Sequence, residues 1–462
     1  MITAEPGHAV RRWWSSIDRA AAGLAADLGL YALSAIFAAV TAATSTLLPH
    51  RAWGAVAAVG YAAAALAVAG QLVARRIDPG TRLAGTAART AVTALAFAAT
   101  ALLPMVLQAI QRAGGRTDRA QEEVVVVEHG GARLLDHGTP YLGTDAIAAL
   151  PPGEQLLGYL PYQPGMALFG LPRAVAGDGW WTDARIWFAV ATVAALALAV
   201  RTVRGNGATG SRPPVDLSAA RDAALVRAVQ LATVLPVCAL TLATGGDDIP
   251  VLALCLLALA LCATARPGAA GIAVGLAAAL KLFAWPVALV LLVHAATRGR
   301  RPLGRLAAGA IGLPALALLP AVLVDPAAFV DNVIRFPLGD ALVTSPAQSP
   351  FPGYLIASAL PGGRWIAAAL LVAAGLAIAV HLARRPPRTA ATTALICGYG
   401  LLAAILLMPS TRFGYLLYPV AFLAWAPALR LAGPGTGSSD ATGARGRSGT
   451  GADSPDTLKT TG

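Results

Sequence analysis

Long apolar runs separated by shorter polar connections account for most of this chain. Nine runs approach or exceed the roughly 20 residues that an α-helix needs to cross a bilayer, and one further region, 250–297, is apolar but interrupted. The pattern predicts an all-α integral membrane protein. The nine runs lie near residues 22–48, 54–74, 84–110, 184–203, 222–244, 302–323, 364–383, 388–408 and 414–430.

The interrupted region decides the predicted topology. We divide it into one span and two short segments that meet at Lys281, namely 250–265, 268–281 and 284–297. With the N-terminus inside, every short arginine-rich loop then lies on the cytoplasmic side. This agrees with the general excess of arginine and lysine in short cytoplasmic loops of membrane proteins. A single helix across 268–297 would move the arginines at 266 or at 298–305 to the wrong side. The sequence therefore predicts about twelve transmembrane or re-entrant segments with both termini cytoplasmic.

This topology divides the chain into three parts. A cytoplasmic N-terminal segment precedes a polytopic membrane domain, and a disordered cytoplasmic tail rich in Gly, Ser and Thr follows it. The outer face receives two large polar loops and the short connections at 245–250 and 409–415. The three parts are residues 1–21, 22–430 and 431–462, and the two large loops are 111–183 and 324–363.

Composition supports a membrane protein and excludes one other class. The 462 residues are 57% hydrophobic and 13% charged, whereas a soluble domain carries roughly a quarter charged residues. The net charge of +12 could suit nucleic acid. However, the arginines lie at the ends of apolar runs, where they anchor topology, so nucleic-acid binding is excluded.

The long first polar loop is the main candidate for chemistry. Glu122, Glu123 and Glu128 flank a run of four valines in this loop. A carboxylate just outside the membrane can act as a general base that takes a proton from an attacking hydroxyl, and solvated surface glutamates are the alternative. His129 and His137 each follow a carboxylate, but their spacing matches no established zinc site. We therefore predict no metal site here.

Lys281 is the most unusual single position. It is the only lysine outside the C-terminal tail, and a charge at the centre of a membrane helix costs roughly 2.5–3.5 kcal/mol. One interpretation is a side chain that reaches from a helix end to the interface. The other is an anion site for a lipid phosphate, with Gly271 and Gly275 allowing close backbone approach.

Aromatic and acidic residues offer further candidates on the outer face. Tyr159 and Tyr162 lie where the long loop returns to the membrane, as interfacial anchors or as a surface on which a sugar stacks. Asp247 and Asp248 lie between two helices. They either stabilise the N-terminus of the second helix or take part in function.

Two arginines are candidates for phosphate recognition. Arg335 and Arg412 both lie in predicted outer connections next to aromatic residues. A guanidinium binds phosphate through two parallel hydrogen bonds, and a membrane lipid headgroup is the alternative partner. The chain has no GxGxxG or GxxxxGK[ST] motif of the kind that holds nucleotide phosphates.

The motifs of the first loop resemble a known family. Their order is Gly131-Ala132, then Gly138-Thr139-Pro140-Tyr141, then Tyr162-Gln163-Pro164. It resembles the first external loop of polytopic glycosyltransferases of the C superfold, and in particular the bacterial, polyprenyl-phosphate-mannose-dependent family 87. A later block resembles the family's G-x-x-x-G…K-x-x-P pattern, at Gly271, Gly275, Lys281 and, one residue late, Pro286.

The sequence departs from the family's pattern in three ways. Three helices precede the acidic loop instead of one, which keeps the loop external because three is also odd. Glutamates occupy the region of the expected aspartate, and Glu128 replaces a tyrosine. Counted back from Gly131-Ala132, the family's acidic position falls at or beside Val124, so we predict Glu123 as the base ahead of Glu122 and Glu128.

The resemblance implies a specific activity. The enzyme would transfer a sugar, in this family mannose, with inversion from a polyprenyl-phosphate donor to a glycolipid or envelope glycan acceptor. Transfer would take place in the membrane, on the outer face of the bacterial cytoplasmic membrane. Cationic side chains would stabilise the leaving lipid phosphate. Tyr141, Tyr162, Lys281, Arg335, Arg412, Asp247 and Asp248 are the predicted substrate-binding residues.

The implied reaction needs no redox cofactor and no nucleotide, and a requirement for a divalent cation stays open. A membrane transporter or lipid flippase is the alternative, and a non-catalytic envelope scaffold is the third. A transporter would explain the many helices and the buried lysine, but not one long acidic loop among otherwise short connections.

Overall fold

The computed structural model describes residues 20–205 and 215–432. Across these ranges the chain is all-α, as predicted, apart from an isolated bridge between Gln348 and Thr411. The predicted cytoplasmic N-terminal segment and the predicted disordered tail lie outside the described residues, except for a few at their inner ends. The same holds for the middle of the predicted cytoplasmic loop that contains Arg212.

Fourteen helices carry the architecture of the described chain. Among the described residues, eight of these helices are long and apolar enough to cross a membrane. One further pair, Asp216–Thr233 and Pro236–Thr244, is long and apolar enough only when the two are taken together, and it bends by 46° between them. The helices are α1 Leu24–Thr44, α2 Leu48–Ile77, α3 Thr86–Ala113, α4 Glu122–His137, α5 Ala184–Arg204, α6 Val215–Thr233, α7 Pro236–Thr244, α8 Asp248–Ala263, α9 Pro267–Leu280, α10 Ala284–Ala296, α11 Arg300–Val324, α12 Gly363–Arg384, α13 Ala390–Leu407 and α14 Leu417–Ala432.

The division of the interrupted region is confirmed. Three shorter apolar helices, α8, α9 and α10, occupy it, and α9 ends where Lys281 adopts an extended backbone with φ −154° and ψ 145°. Pro286 lies in the first turn of α10, where a missing N–H removes no helical hydrogen bond. The total of twelve membrane segments stays a prediction, since the short helices fall below the length of a full span.

Glycines set the closest packing between two of these helices. A Cβ on Gly275 would lie 2.1 Å from the carbonyl oxygen of Gly309, and one on Gly271 would lie 2.2 Å from that of Leu306. Small residues allow α9 and α11 to approach backbone to backbone, as in many membrane helix pairs. The close backbone approach predicted at Gly271 and Gly275 is therefore made by α11, which fills the space that these glycines leave.

The long first loop is itself folded. Its main element is α4, whose Val124, Val126 and Val127 are buried. A 3-10 helix at Pro164–Gly170 packs across α4, since a Cβ on Gly170 would lie only 2.1 Å from the carbonyl oxygen of Val127. Short helical segments complete the loop at Thr144–Ala148, Gln155–Gly158, Leu171–Ala176 and Trp180–Thr182.

The two large loops pack against each other. Asn332 is fully buried, and its Oδ1 accepts a hydrogen bond of 2.7 Å from the backbone N–H of Leu160. Tyr159 stacks on Phe336 with ring centroids 4.5 Å apart. The second loop contains short helices at Pro326–Val330, Phe336–Leu338 and Pro352–Ala359. We call the face formed by the loops 114–183, 245–247, 281–283, 325–362 and 408–412 the polar-loop face.

Candidate active site

The start of α4 is fixed to the end of α7. The backbone N–H of Gln121 donates to the carbonyl of Thr244 at 2.9 Å, and the Thr244 hydroxyl donates to Gln121 Oε1 at 2.8 Å. A Cβ added at the next residue, Gly245, would lie 3.0 Å from Gln121 Oε1 and at an ordinary contact distance of 3.9 Å from the Cβ of Glu123. The predicted base therefore lies beside the turn that carries Asp247 and Asp248.

A buried ionic cluster lies at that turn. Lys281 Nζ is 2.6 Å from Asp247 Oδ2 and 2.7 Å from Asp248 Oδ1, and all three residues are at most 6% exposed. Tyr418 donates its hydroxyl to Asp248 Oδ1 at 2.7 Å. Two carboxyl groups share one ammonium, so hydrogen bonds such as that from Tyr418 help to offset the cost of burial.

Aromatic rings enclose this cluster. The ammonium of Lys281 lies 4.9 Å from the ring centroid of Tyr162 and 5.5 Å from that of Tyr415, distances at which the face of a ring attracts a cation. Phe283 stacks on Tyr418 with centroids 5.2 Å apart. Burial, reinforced by the nearby Asp247 carboxylate, raises the pKa of Tyr162 well above its usual value, so its hydroxyl stays protonated.

Burial excludes one of the two interpretations that the sequence left open for the tyrosines, and one of the two for Lys281. Tyr159 is 2% exposed and Tyr162 is 6% exposed, so neither is an interfacial anchor. Lys281 does not reach toward the interface either, because its charge is matched by two carboxylates inside the protein. Asp247 and Asp248 are the anionic partners that a buried lysine requires.

Glu123 forms an ion pair with Arg412. The Glu123 side chain is 12% exposed and that of Arg412 is 30% exposed, so this pair is the more accessible part of the site. Arg412 is placed by its neighbour Thr411, whose backbone N–H donates to the carbonyl of Ala347 at 2.9 Å. The second large loop thus helps to position the guanidinium beside the carboxylate.

Glu128 belongs to a different and more deeply buried network. Arg112 Nη2 donates to Glu128 Oε2 at 2.6 Å, and Arg112 Nη1 donates to Glu128 Oε1 at 2.8 Å. Glu128 Oε1 also accepts from the backbone N–H of Ala184 at 3.1 Å, while Arg173 lies 3.3 Å from Oε2. Glu128 therefore ties α4 to the ends of α3 and α5.

Asp183 extends this network at the N-terminus of α5. Its carboxylate lies 2.8 Å from Arg185 Nη2 and 3.1 Å from Arg112 Nη1. Burial alone would raise the pKa of Asp183, but the two guanidiniums outweigh it and hold the pKa at about 2. The Asp183 carboxylate is therefore ionised throughout the physiological range of pH.

The other candidates lie apart from the ionic cluster. Glu122 is exposed in the first turn of α4. Arg335 is 58% exposed and pairs with Asp331 at 2.8 Å. Tyr141 is buried and donates its hydroxyl to the carbonyl of Tyr162 at 2.8 Å, so it supports the wall of the site. No group of three or more His, Cys, Asp or Glu suited to a metal occurs in residues 20–205 and 215–432.

Several residues of the site were not predicted. Tyr415 lies in the 3-10 helix Phe413–Leu416 and Tyr418 in the first turn of α14, and Phe283 follows Lys281 by two residues. The sequence signal for the tyrosines was their position within six residues after Arg412. Gln121 and Arg112 carried no distinguishing signal, because their roles depend on contacts with distant helices.

Comparison with known proteins decides the family. The sequence model described as glycosyltransferase family 87 matches residues 159–409. The chain belongs to this family. The resemblance predicted from the sequence is confirmed, and the matched residues of this family 87 protein include Tyr162, Asp247, Asp248 and Lys281. Glu123 lies before the matched region. With its apolar helices, the chain is a multi-pass membrane protein of glycosyltransferase family 87.

One solved structure is also similar. The crystal structure of ArnT from Cupriavidus metallidurans in the apo state matches with a TM-score of 0.41 and 18% identity, over 67% of this chain and 54% of that chain. This family 87 protein thus spans about half the length of ArnT. No curated protein matches the chain.

Proposed function

We propose that this family 87 protein transfers a sugar, mannose, from a polyprenyl phosphate to a glycolipid or envelope glycan, with inversion at the anomeric carbon. Transfer takes place on the outer face of the bacterial cytoplasmic membrane. The observation that carries the proposal is the contact between Glu123 and Arg412 beside the buried Asp247–Lys281 cluster. It joins a partly exposed glutamate side chain and a partly exposed arginine side chain at one place on the polar-loop face.

Glu123 is the best placed of the carboxylates to act as the base. A base must reach the hydroxyl of the acceptor within hydrogen-bonding distance. Asp247 and Asp248 are committed to Lys281, and Glu128 is held by Arg112 in a separate network. Glu122 is exposed and lies outside the cluster. Glu123 alone among these is both at the site and partly accessible.

Arg412 is the proposed ligand of the leaving phosphate. Its guanidinium is partly exposed, and its five donors suit a phosphate. In an inverting displacement the acceptor oxygen and the leaving phosphate lie on opposite sides of the anomeric carbon. The ion pair with Glu123 therefore has to open when donor binds, which frees the carboxylate to act as a base.

Lys281 remains a second proposed phosphate ligand, but it could bind a phosphate only after giving up one of its carboxylate partners. Because its ammonium is already paired with Asp247 and Asp248, a phosphate would have to displace one carboxylate. Two negative groups beside the phosphate would weaken its binding. We therefore assign the direct phosphate contact to Arg412 and give Lys281 the role of holding the two aspartates and Tyr162 in place.

A donor panel tests this proposal. Purified protein in detergent, without a gradient, is incubated with polyprenyl-phosphate mannose, polyprenyl-phosphate glucose and a nucleotide-linked mannose, together with glycolipid acceptors. We expect transfer only from a lipid-linked donor, and the mannosyl lipid to be preferred. Arg412→Gln should raise the KM for the donor. Flux of substrate across vesicles without any transfer would instead favour a transporter.

A further inference from the structure

A cavity lies at the opposite ends of the helices that carry the ionic cluster. It has a volume of about 320 Å³ and lies between the α8–α9 turn and the α10–α11 turn. α9 has 14 residues, so at 1.5 Å per residue the cavity is about 21 Å from Lys281. Its lining residues are Cys262, Ala265, Pro267, His294, Ala295, Arg298, Arg301, Pro302 and Arg305.

Three arginines make this cavity strongly basic. Arg298, Arg301 and Arg305 all line it, and within residues 20–205 and 215–432 no carboxylate forms an ion pair with any of them. Two of the three lie in the first turns of α11. The positive end of the helix dipole repels cations there, and Gly299 supplies no side-chain cap. A bound anion would relieve this repulsion and accept from the guanidiniums.

His294 adds a polar contact of a different kind. It is 1% exposed, and its Nδ1 lies 2.9 Å from the carbonyl oxygen of Pro387. Because a carbonyl only accepts, Nδ1 is the donor, and Nε2 of the neutral ring is left as an acceptor. Nε2 has no partner in the structure. A ligand that donates a hydrogen bond, such as a hydroxyl, would satisfy this buried nitrogen.

We propose that this cavity binds the headgroup of a membrane phospholipid that carries both a phosphodiester and a free hydroxyl. The arginines bind the phosphate, and His294 Nε2 accepts from the hydroxyl. Basic pockets between membrane helices are suited to anionic headgroups. The exposed apolar residues Ile272 on α9 and Ile311 on α11 give the acyl chains a surface to follow. The site lies on the face opposite the candidate active site and does not depend on the proposed transfer reaction.

Lipid binding tests the phosphate contact. The full chain in detergent is titrated with short-chain phosphatidylglycerol, short-chain phosphatidylcholine and inorganic phosphate, and binding is followed by native mass spectrometry and by the melting temperature. We expect phosphatidylglycerol to bind and stabilise, and the other two to do so weakly or not at all. Replacing Arg298, Arg301 and Arg305 by Gln should weaken binding by roughly tenfold or more. The matched control replaces Arg75, Arg76 and Arg82 by Gln and should bind normally.

A second variant tests the hydroxyl contact. His294→Asn keeps an N–H near the position of Nδ1 and removes Nε2. The substitution should weaken the binding of phosphatidylglycerol. It should leave the binding of short-chain phosphatidic acid unchanged, because that lipid lacks the headgroup hydroxyl. Equal loss for both lipids would contradict the hydroxyl contact. Equal binding by the triple variant and its control would overturn the site, and equal affinity for inorganic phosphate would overturn its assignment to a lipid.

Discussion

The ammonium of Lys281 lies 2.6 Å from a carboxylate oxygen of Asp247, which joins the end of α9 to the turn before α8. A second carboxylate, that of Asp248, lies 2.7 Å from the same ammonium. Lysine is buried here as the counter-ion of two aspartates. The cluster therefore fixes the α7–α8 turn against the segment after α9 on the polar-loop face, and the partly exposed pair of Glu123 and Arg412 lies beside it.

Removal of the lysine charge should destabilise the fold. Lys281→Met leaves two buried carboxylates without their cation, which typically costs about 3–5 kcal/mol. We expect a lower melting temperature in detergent and partial recovery in the double variant with Asp247→Asn, which restores the net charge of the cluster. Lys281→Arg should recover only part of the stability, because a planar guanidinium does not fit a site built for a compact ammonium. Unchanged stability with lost donor binding would favour a direct phosphate contact instead.

The network around Glu128 should matter for folding more than for chemistry. Glu128→Gln removes a carboxylate that holds Arg112 and the N-terminus of α5. We expect reduced thermal stability, with transfer by the folded fraction falling by no more than about tenfold, below the usual contribution of a general base. Glu122→Gln, at an exposed position, should change neither the thermal stability nor the rate of transfer. A stable Glu128→Gln protein without activity would show that Glu128 is the base.

The glycine contact between α9 and α11 can be tested with a matched pair. A Cβ at position 275 would lie 2.1 Å from the carbonyl oxygen of Gly309, whereas Gly312 has open space around it. Gly275→Ala should therefore separate the two helices and lower both the folded yield and the melting temperature. Gly312→Ala should be neutral or slightly stabilising, because alanine is the better helix former. Equal effects would mean that the close approach is not needed.

Much of the fold could be predicted from the sequence because the length and hydropathy of an apolar run identify a membrane helix. The apolar runs and the observed helices coincide closely, and arginine distribution located the break at Lys281. The interior of the first loop was harder to predict. Its valine run forms one face of α4, yet a run of four valines carries no helical period, and the packing partner at Gly170 is far along the chain.

The site was predicted in part. Lys281, Asp247, Asp248, Glu123 and Arg412 were each singled out from the sequence, but not as neighbours. Their pairing depends on how α4, α8, α9 and α14 are arranged, and no local pattern encodes that arrangement. For Lys281, its position in an apolar segment predicted that the ammonium has an anionic partner. The sequence did not show whether that partner is a carboxylate of the protein or a phosphate of a ligand.

The orientation of the protein stays a prediction from the arginine distribution. Asp178 lies on the polar-loop face and is 80% exposed. Asp78 is exposed directly after the C-terminal end of α2, in a connection predicted to be cytoplasmic. The four native cysteines are buried, so single new cysteines report cleanly. In intact cells an impermeant maleimide should label Asp178→Cys and should reach Asp78→Cys only after permeabilisation. The reverse pattern would place the candidate site on the cytoplasmic side.

The most direct measurement of the central claim is sugar transfer by Glu123→Gln. Glutamine keeps the size of the side chain and removes its ability to take a proton from the acceptor. The variant should insert, fold and bind the lipid-linked donor as the wild type does, while its kcat falls by about 10²–10⁴-fold. Transfer close to the wild-type rate would contradict the assignment of Glu123 as the base.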